Sequence, residues 1–140
     1  MTDPFNLERF VSAQDDDFSQ VLAELHAGEK RSHWIWFIFP QMKGLGHSPM
    51  ATHYGIGSLK EAVAYAHDPL LGPRLVQCTQ LVLDVEGRTI HQIFGSPDDL
   101  KFRSSMTLFA HAVPENLVFQ EALRKYFNGE LDPLTLALLG

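Results

Sequence analysis

Apolar residues near the start of the chain recur at the spacing of a helical face, that is, at i, i+3, i+4 and i+7. Residues 7–11 hold one such group and residues 18–25 hold another. The second group ends at Gly28, and glycine is a typical C-terminal stop of a helix. We therefore predict two helices in this region, the first of them short.

Two further helices are predicted in the middle of the chain. Ser58 and Glu61 have the spacing of a capping box, which predicts a helix from there to about His67. Apolar residues between positions 71 and 82 then line one face of a longer helix that ends near residues 84–87.

The last third of the chain contains three more helix signals. Ser96 as N-cap and Pro97 at the first helical position predict a helix in which Leu100 is among the side chains that face inward. Pro114 begins another helix, which closes at residues 128–129. Asp132, followed by a proline, caps a last apolar turn over residues 134–139.

Residues 34–39 are six consecutive apolar residues that lead into a glycine-containing loop. Such a run indicates a short buried strand or extended segment, although periodicity alone also allows a buried helical turn. Residues 90–94 form an apolar patch too short to assign. The whole pattern predicts a mainly α fold in one domain, residues 1–140, with about six helices and at most one short strand element.

Composition narrows the class of protein. The chain has 45% hydrophobic and 20% charged residues, which is typical of globular domains. Its formal charge of -6 argues against general nucleic-acid binding and against an anionic membrane surface. Cys78 is the single cysteine, and no run approaches the roughly 20 apolar residues needed to cross a bilayer. We therefore expect a cytoplasmic protein; the sequence indicates no particular oligomeric state.

The first candidate for chemistry is the segment from Arg31 to Gln41, in which basic and aromatic residues are neighbours. Cations there can hold a phosphate, while the rings of Trp34 and Trp36 can stack on an attached ring. The alternative is that both tryptophans are core residues beside a solvated basic turn.

The second candidate is the segment 101–107, which contains two cations and three hydroxyl groups in the first turns of a predicted helix. Lys101, Arg103 and Ser104 are donors that can bind an anion at this position. The alternative is that the two cations form surface pairs with Asp98 and Asp99, which contribute little to stability.

For acid–base chemistry, Asp98, Asp99 and Glu61 are the carboxylates nearest these segments, and His33 is the best-placed imidazole; we take Asp99, Glu61 and His33 as the catalytic candidates. Ordinary roles also account for these carboxylates, because Glu61 belongs to a capping box and the two aspartates to a first helical turn. The histidines lack metal-binding spacing, and the glycines at positions 44 and 46 lack the context of a dinucleotide or phosphate loop. We predict no metal and no cofactor.

Three strings, HWIWFIFPQMKGLGHS, LKEAVAYAHDPLLGPRL and IFGSPDDLKFRSSMTLFA, carry a family resemblance. Over residues 5–139 the chain resembles a family of small, mostly bacterial proteins of unknown function, some of which carry a "calpastatin" label. That label implies disordered inhibitory repeats, which this chain lacks. The resemblance implies a mainly helical fold. A more distant similarity is to the NADAR domains of NAD and ADP-ribose metabolism, from which no catalytic residue is carried over.

Two functions follow as hypotheses. In the first, the two candidate segments meet at a pocket, and the protein is an enzyme that acts on a nucleotide-like or ADP-ribose-like anion, by glycosidic hydrolysis. In the second, the same surface is a non-catalytic module that binds a small anion or a protein. A carboxylate with a raised pKa inside the pocket would favour the enzyme. A third possibility is an interaction protein whose aromatic segment belongs entirely to the core; burial of both tryptophans with no adjoining cleft would favour it.

Overall fold

A computed structural model describes residues 3–140, and those residues form nine helices and no strand. The helices are α1 (Glu8–Ala27), α2 (Ile35–Ile38), α3 (Pro49–His53), α4 (Leu59–His67), α5 (Leu71–Asp84), α6 (Ile90–Phe94), α7 (Asp98–Ala112), α8 (Val118–Phe127) and α9 (Pro133–Leu139). The mainly helical class is confirmed. The predicted number of about six is wrong, because α2, α3 and α6 are single-turn helices of four or five residues that periodicity does not detect.

The start of the chain forms one helix where two were predicted. Helix α1 runs unbroken for 20 residues and ends at Gly28, whose φ of 74° is the left-handed conformation that glycine favours. Its core face includes Gln14, which is 1% exposed and donates to the carbonyl oxygen of Phe37 and the hydroxyl of Tyr65. This buried polar residue interrupts the apolar pattern without interrupting the helix.

Two predicted helix caps are confirmed. The hydroxyl of Ser58 accepts a hydrogen bond from the backbone N–H of Glu61 at the start of α4, at 3.1 Å. The Glu61 carboxylate binds the backbone N–H of Gly57 rather than that of Ser58, so the reciprocal half of the capping box is shifted by one residue. At α9, Asp132 accepts from the backbone N–H of Thr135.

The starts of α7 and α8 differ from the prediction. Pro97 is the N-cap of α7 and the helix begins at Asp98, so Ser96 lies outside it and does not cap it. Helix α8 begins at Val118, because the residues that follow Pro114 form a turn first. The two helices nevertheless cover most of the predicted ranges.

Residues 34–39 are not a strand. Four of them form the turn of α2, and all six except Trp36 are buried. Burial on nearly every side explains the unbroken apolar run, which indicates the environment of the segment rather than its backbone conformation. The loop after α2 makes a single parallel β-bridge, between Met42 and Ile56.

Helix α7 is the centre of the domain and packs against α2, α4, α6, α8 and α9. Every residue from Ser104 to Ala110 is buried, so this part of α7 has no solvent-facing side. Leu100, near its start, is 57% exposed, contrary to the prediction that it faces inward. None of the helices formed by residues 3–140 is long and apolar enough to cross a membrane.

Candidate functional site

A cleft of about 400 Å³ lies where the loop after α2, the first turns of α7 and the start of α9 meet. Its walls combine apolar side chains with a few polar ones. The lining residues are Gln41, Leu45, Gly46, Pro97, Leu100, Lys101, Arg103, Ser104, Asp132, Pro133 and Leu134. The cleft brings Gln41, from the first candidate segment, together with Lys101, Arg103 and Ser104, from the second.

Gln41 is held by its backbone and leaves its side chain free. Its carbonyl oxygen accepts from the N–H of Ile56 at 2.9 Å, and the next-but-one residue, Lys43, donates to the carbonyl of Ile56. The side chain is 8% exposed and makes no hydrogen bond with any of residues 3–140. The amide atoms of Gln41 are not among the buried polar atoms that lack a partner, so they reach the open space of the cleft. This amide is therefore available to a molecule in the cleft.

Lys101 is a cation placed over an aromatic ring. Its ammonium nitrogen lies 5.1 Å from the centroid of the Trp36 ring, within the range of a cation–π interaction. It also lies 3.9 Å from a carboxylate oxygen of Asp98, whose other oxygen pairs with Lys30 at 2.7 Å. Because the carboxylate of Asp98 pairs with Lys30 as well, it neutralises the positive charge of Lys101 only in part.

Trp36 contacts the site through its ring, which lies under the ammonium group of Lys101. It is partly buried, and its indole N–H is buried without a partner among the described residues. Trp36 is not itself a lining residue, so its contact with the site passes through the side chain of Lys101.

Arg103 lines the cleft but uses much of its guanidinium elsewhere. Its Nε and Nη2 donate to the carbonyl oxygens of Glu130 and Leu131, at 3.1 and 2.7 Å. These bonds hold the segment that precedes α9 against α7. Arg103 therefore contributes positive charge to the cleft wall and fixes the wall's position.

Asp132 is the only carboxylate among the described residues that line the cleft. Its Oδ2 accepts hydrogen bonds from the Ser104 hydroxyl and from both the backbone N–H and the hydroxyl of Thr135. Its backbone N–H donates to the hydroxyl of Thr107. Sequence analysis recognised Asp132 only as a helix cap, because nothing local indicates that α9 returns to α7.

Three of the proposed ligand-binding residues lie outside the cleft: Arg31, Trp34 and, as described above, Trp36. Trp34 is 1% exposed, and its indole N–H donates to Glu24 at 3.0 Å, so its ring cannot stack on a ligand. The guanidinium of Arg31 pairs with Glu29 on an exposed surface. The structural alternative therefore applies to Trp34.

The carboxylate of Glu24 organises this first segment. It accepts from the backbone N–H groups of Arg31 and Ser32, from the Ser32 hydroxyl and from the Trp34 indole. Burial alone would raise the pKa of Glu24, but these hydrogen bonds outweigh it and lower the pKa to about 2. Glu24 is therefore a charged anchor for the chain that leads into α2.

The three proposed acid–base residues do not line the cleft either. Glu61 pairs with Arg9 at 2.7 Å, and Asp99 lies 3.2 Å from the Nδ1 of His91. His33 is exposed. Each carboxylate thus has a local structural partner, and the structure does not bring the three residues together.

A larger, shallower groove of about 650 Å³ lies along α4 and α5. It is lined by Ala66, Gly72, Pro73, Val76, Gln77, Gln80 and Leu81, none of which is charged. This groove offers no group for an anion. No three His, Cys, Asp or Glu side chains in the described part of the chain are placed to hold a metal ion.

Comparisons with known proteins identify the family but no activity. The family model described as "Protein of unknown function (DUF1810)" matches residues 4–139. No curated protein matches the chain. The crystal structure of the conserved hypothetical protein Rv1873 from Mycobacterium tuberculosis is similar to it, with 58% identity, a TM-score of 0.97 and 98% of each chain covered. The chain therefore belongs to the DUF1810 family of proteins of unknown function.

Proposed function

We propose that the cleft between α7 and α9 binds a small nucleotide-like or ADP-ribose-like ligand, with the anionic group of the ligand at Lys101. One observation carries this proposal: the cationic side chain of Lys101 and the unpaired amide of Gln41 line the same cleft. Small-molecule sites in proteins are typically apolar clefts of this size with a few converging polar groups.

The walls of the cleft suit a ligand that is only partly polar. Leu45, Leu100 and Leu134 provide apolar surface, and the last two are 57% and 65% exposed. Exposed leucines around a polar site can cover the flat face of a base or another ring. A ligand with both a ring and an anionic group would place the ring against these leucines and the anionic group at Lys101.

Of the two functions considered, binding without catalysis agrees better with this geometry. Asp99, Glu61 and His33 lie outside the cleft, and its described lining residues include a single carboxylate, Asp132, whereas glycosidases typically use two. Glycosidic hydrolysis requires an acid or base within reach of the reacting bond. Glycosidic hydrolysis remains a hypothesis, which incubation of the protein with the same ligands can test.

The experiment is a thermal-shift screen followed by calorimetry, with AMP, ADP-ribose, NAD and pyrophosphate as ligands. A ligand that binds the folded state raises the unfolding temperature. We expect Lys101→Ala to weaken binding by about tenfold or more, since a hydrogen bond to a charged group contributes about 1.5 to 3 kcal/mol. Gln41→Ala is expected to weaken binding by a smaller factor.

The matched control is Lys60→Ala, which removes the same charge from an exposed position on α4. Equal losses in the two lysine variants would show that only net charge matters, and this result would refute a site at Lys101. Binding of none of the four ligands would refute the proposal as well. Chromatography of ADP-ribose and NAD after incubation with the protein detects hydrolysis, and turnover would favour the enzyme.

A further inference from the structure

The proposed cleft contains charges of both signs. Lys101 and Arg103 are the cations among its described lining residues, and Asp132 is the carboxylate. An anionic group placed against Asp132 would be repelled, so an anionic ligand must turn a different group toward this residue. The cleft therefore distinguishes the two ends of its ligand.

One oxygen of Asp132 is available for that contact. Oδ2 takes all three hydrogen bonds that the carboxylate receives, from Ser104 and Thr135. Oδ1 receives none from residues 3–140. A carboxylate oxygen accepts hydrogen bonds and, when ionised, donates none. The ligand group that faces Asp132 must therefore be a hydrogen-bond donor.

Arg103 decides which kind of donor is favoured. An ammonium group would bind a carboxylate, but in this cleft it would share the space with two cationic lining residues, Lys101 and Arg103. Neutral hydroxyl groups meet no such repulsion. The amide of Gln41 can both donate to and accept from a hydroxyl. The hydroxyl groups of a sugar can therefore lie beside Asp132, Arg103 and Gln41 without repulsion.

We infer that Asp132 is a specificity-determining residue that accepts hydrogen bonds from the ribose hydroxyls of a ligand whose phosphate lies at Lys101. This inference rests on the proposed function and adds the residue that recognises the ribose of its ligand. Asp132 is already held in place by Ser104, Thr107 and Thr135, so the ligand does not have to order it.

The test compares AMP with 2′,3′-dideoxy-AMP, which has the same base and phosphate but lacks both hydroxyl groups. The wild-type protein is expected to bind AMP about tenfold more tightly, since hydrogen bonds to a charged acceptor are among the stronger ones. In Asp132→Asn this preference is reduced, because a neutral amide replaces the charged acceptor and its hydrogen bonds to hydroxyl groups are weaker. The same variant binds pyrophosphate at least as tightly as wild type, because a negative charge has been removed.

Asparagine is as good an N-cap as aspartate, so Asp132→Asn is expected to keep α9 folded. Asp132→Ser is a second variant that retains a capping side chain without a carboxylate, and it is expected to lose the same preference.

The outcomes separate the two proposals. If the wild type binds AMP and 2′,3′-dideoxy-AMP equally tightly and Lys101→Ala weakens both, the role of Asp132 is refuted. The anion site at Lys101 is then supported. A uniform loss of AMP, 2′,3′-dideoxy-AMP and pyrophosphate binding in both Asp132 variants also overturns that role. Absence of any Lys101-dependent binding overturns both proposals.

Discussion

The carboxylate of Glu24 is predicted to stabilise the fold at neutral pH and to lose this contribution in acid. Its hydrogen bonds to residues 31–34 lower its pKa from 4.5 to about 2. Since one pKa unit corresponds to about 1.4 kcal/mol, this difference contributes on the order of 3 kcal/mol to the free energy of unfolding at pH 7. Glu24→Gln removes the charge with little change in shape.

The direction of the pH dependence follows from the lowered pKa. Above pH 4.5 the side chain is ionised in both the folded and the unfolded chain, and the full stabilisation is present. As the pH falls from 4.5 toward 2, the unfolded chain takes up the proton first and the stabilisation decreases. At pH 3 less than about half of it remains. The wild type and Glu24→Gln should therefore become more alike as the solution becomes more acidic.

The assay is urea unfolding of both proteins at pH 7, 5, 4 and 3, followed by circular dichroism. Glu115→Gln is the control, because Glu115 is exposed and makes no side-chain hydrogen bond within residues 3–140. We expect a deficit of about 3 kcal/mol for Glu24→Gln at pH 7 that shrinks in acid, and a deficit near zero for the control throughout. A deficit for Glu24→Gln that is the same at all four pH values would refute this account.

Three further predictions concern buried side chains. Ser105→Ala should raise the free energy of unfolding by about 1 kcal/mol, because its buried hydroxyl has no partner among the described residues and alanine is the better helix former. Ser104→Ala should lower it by about 1 to 2 kcal/mol, because the single proton of this hydroxyl is shared between the carbonyl oxygen of Leu100 and Oδ2 of Asp132, each 3.1 Å away; stabilisation by both changes would contradict the assignment. Burial raises the pKa of the Cys78 thiol to about 12, so a thiol reagent at pH 8 should label it only after unfolding, and rapid labelling of the folded protein would refute this.

Local signals allowed much of the helical structure to be predicted. The cap at Ser58, the stop at Gly28 and the cap at Asp132 each depend on residues within a few positions of one another. Such interactions are visible in a sequence because the partners are neighbours along the chain. The short helix α6 has a true capping box, Thr89 with Gln92, which the sequence also contains and which we did not recognise.

Polar residues in core positions explain the main errors. Gln14 occupies an inward-facing position of α1 and bonds to residues 23 and 51 positions away, so its partners cannot be seen from the local pattern. Apolar periodicity treats such a residue as a break. Leu100 shows the converse error: it is apolar but exposed, because it forms part of the cleft rather than the core.

The candidate site could be predicted only in part for the same reason. Residue types pointed to Gln41, Lys101 and Ser104, but the geometry that joins them depends on two polar anchors. Glu24 holds the chain that leads into α2, through hydrogen bonds to residues 7 to 10 positions away. Ser104 holds the start of α9 through Asp132, 28 positions away. The second anchor fixes residues that line the cleft, and the first fixes the chain that leads through α2 to Gln41. Both depend on hydrogen bonds that reach beyond a single helical turn. The sequence shows which groups are present, and these long-range bonds decide which of them meet.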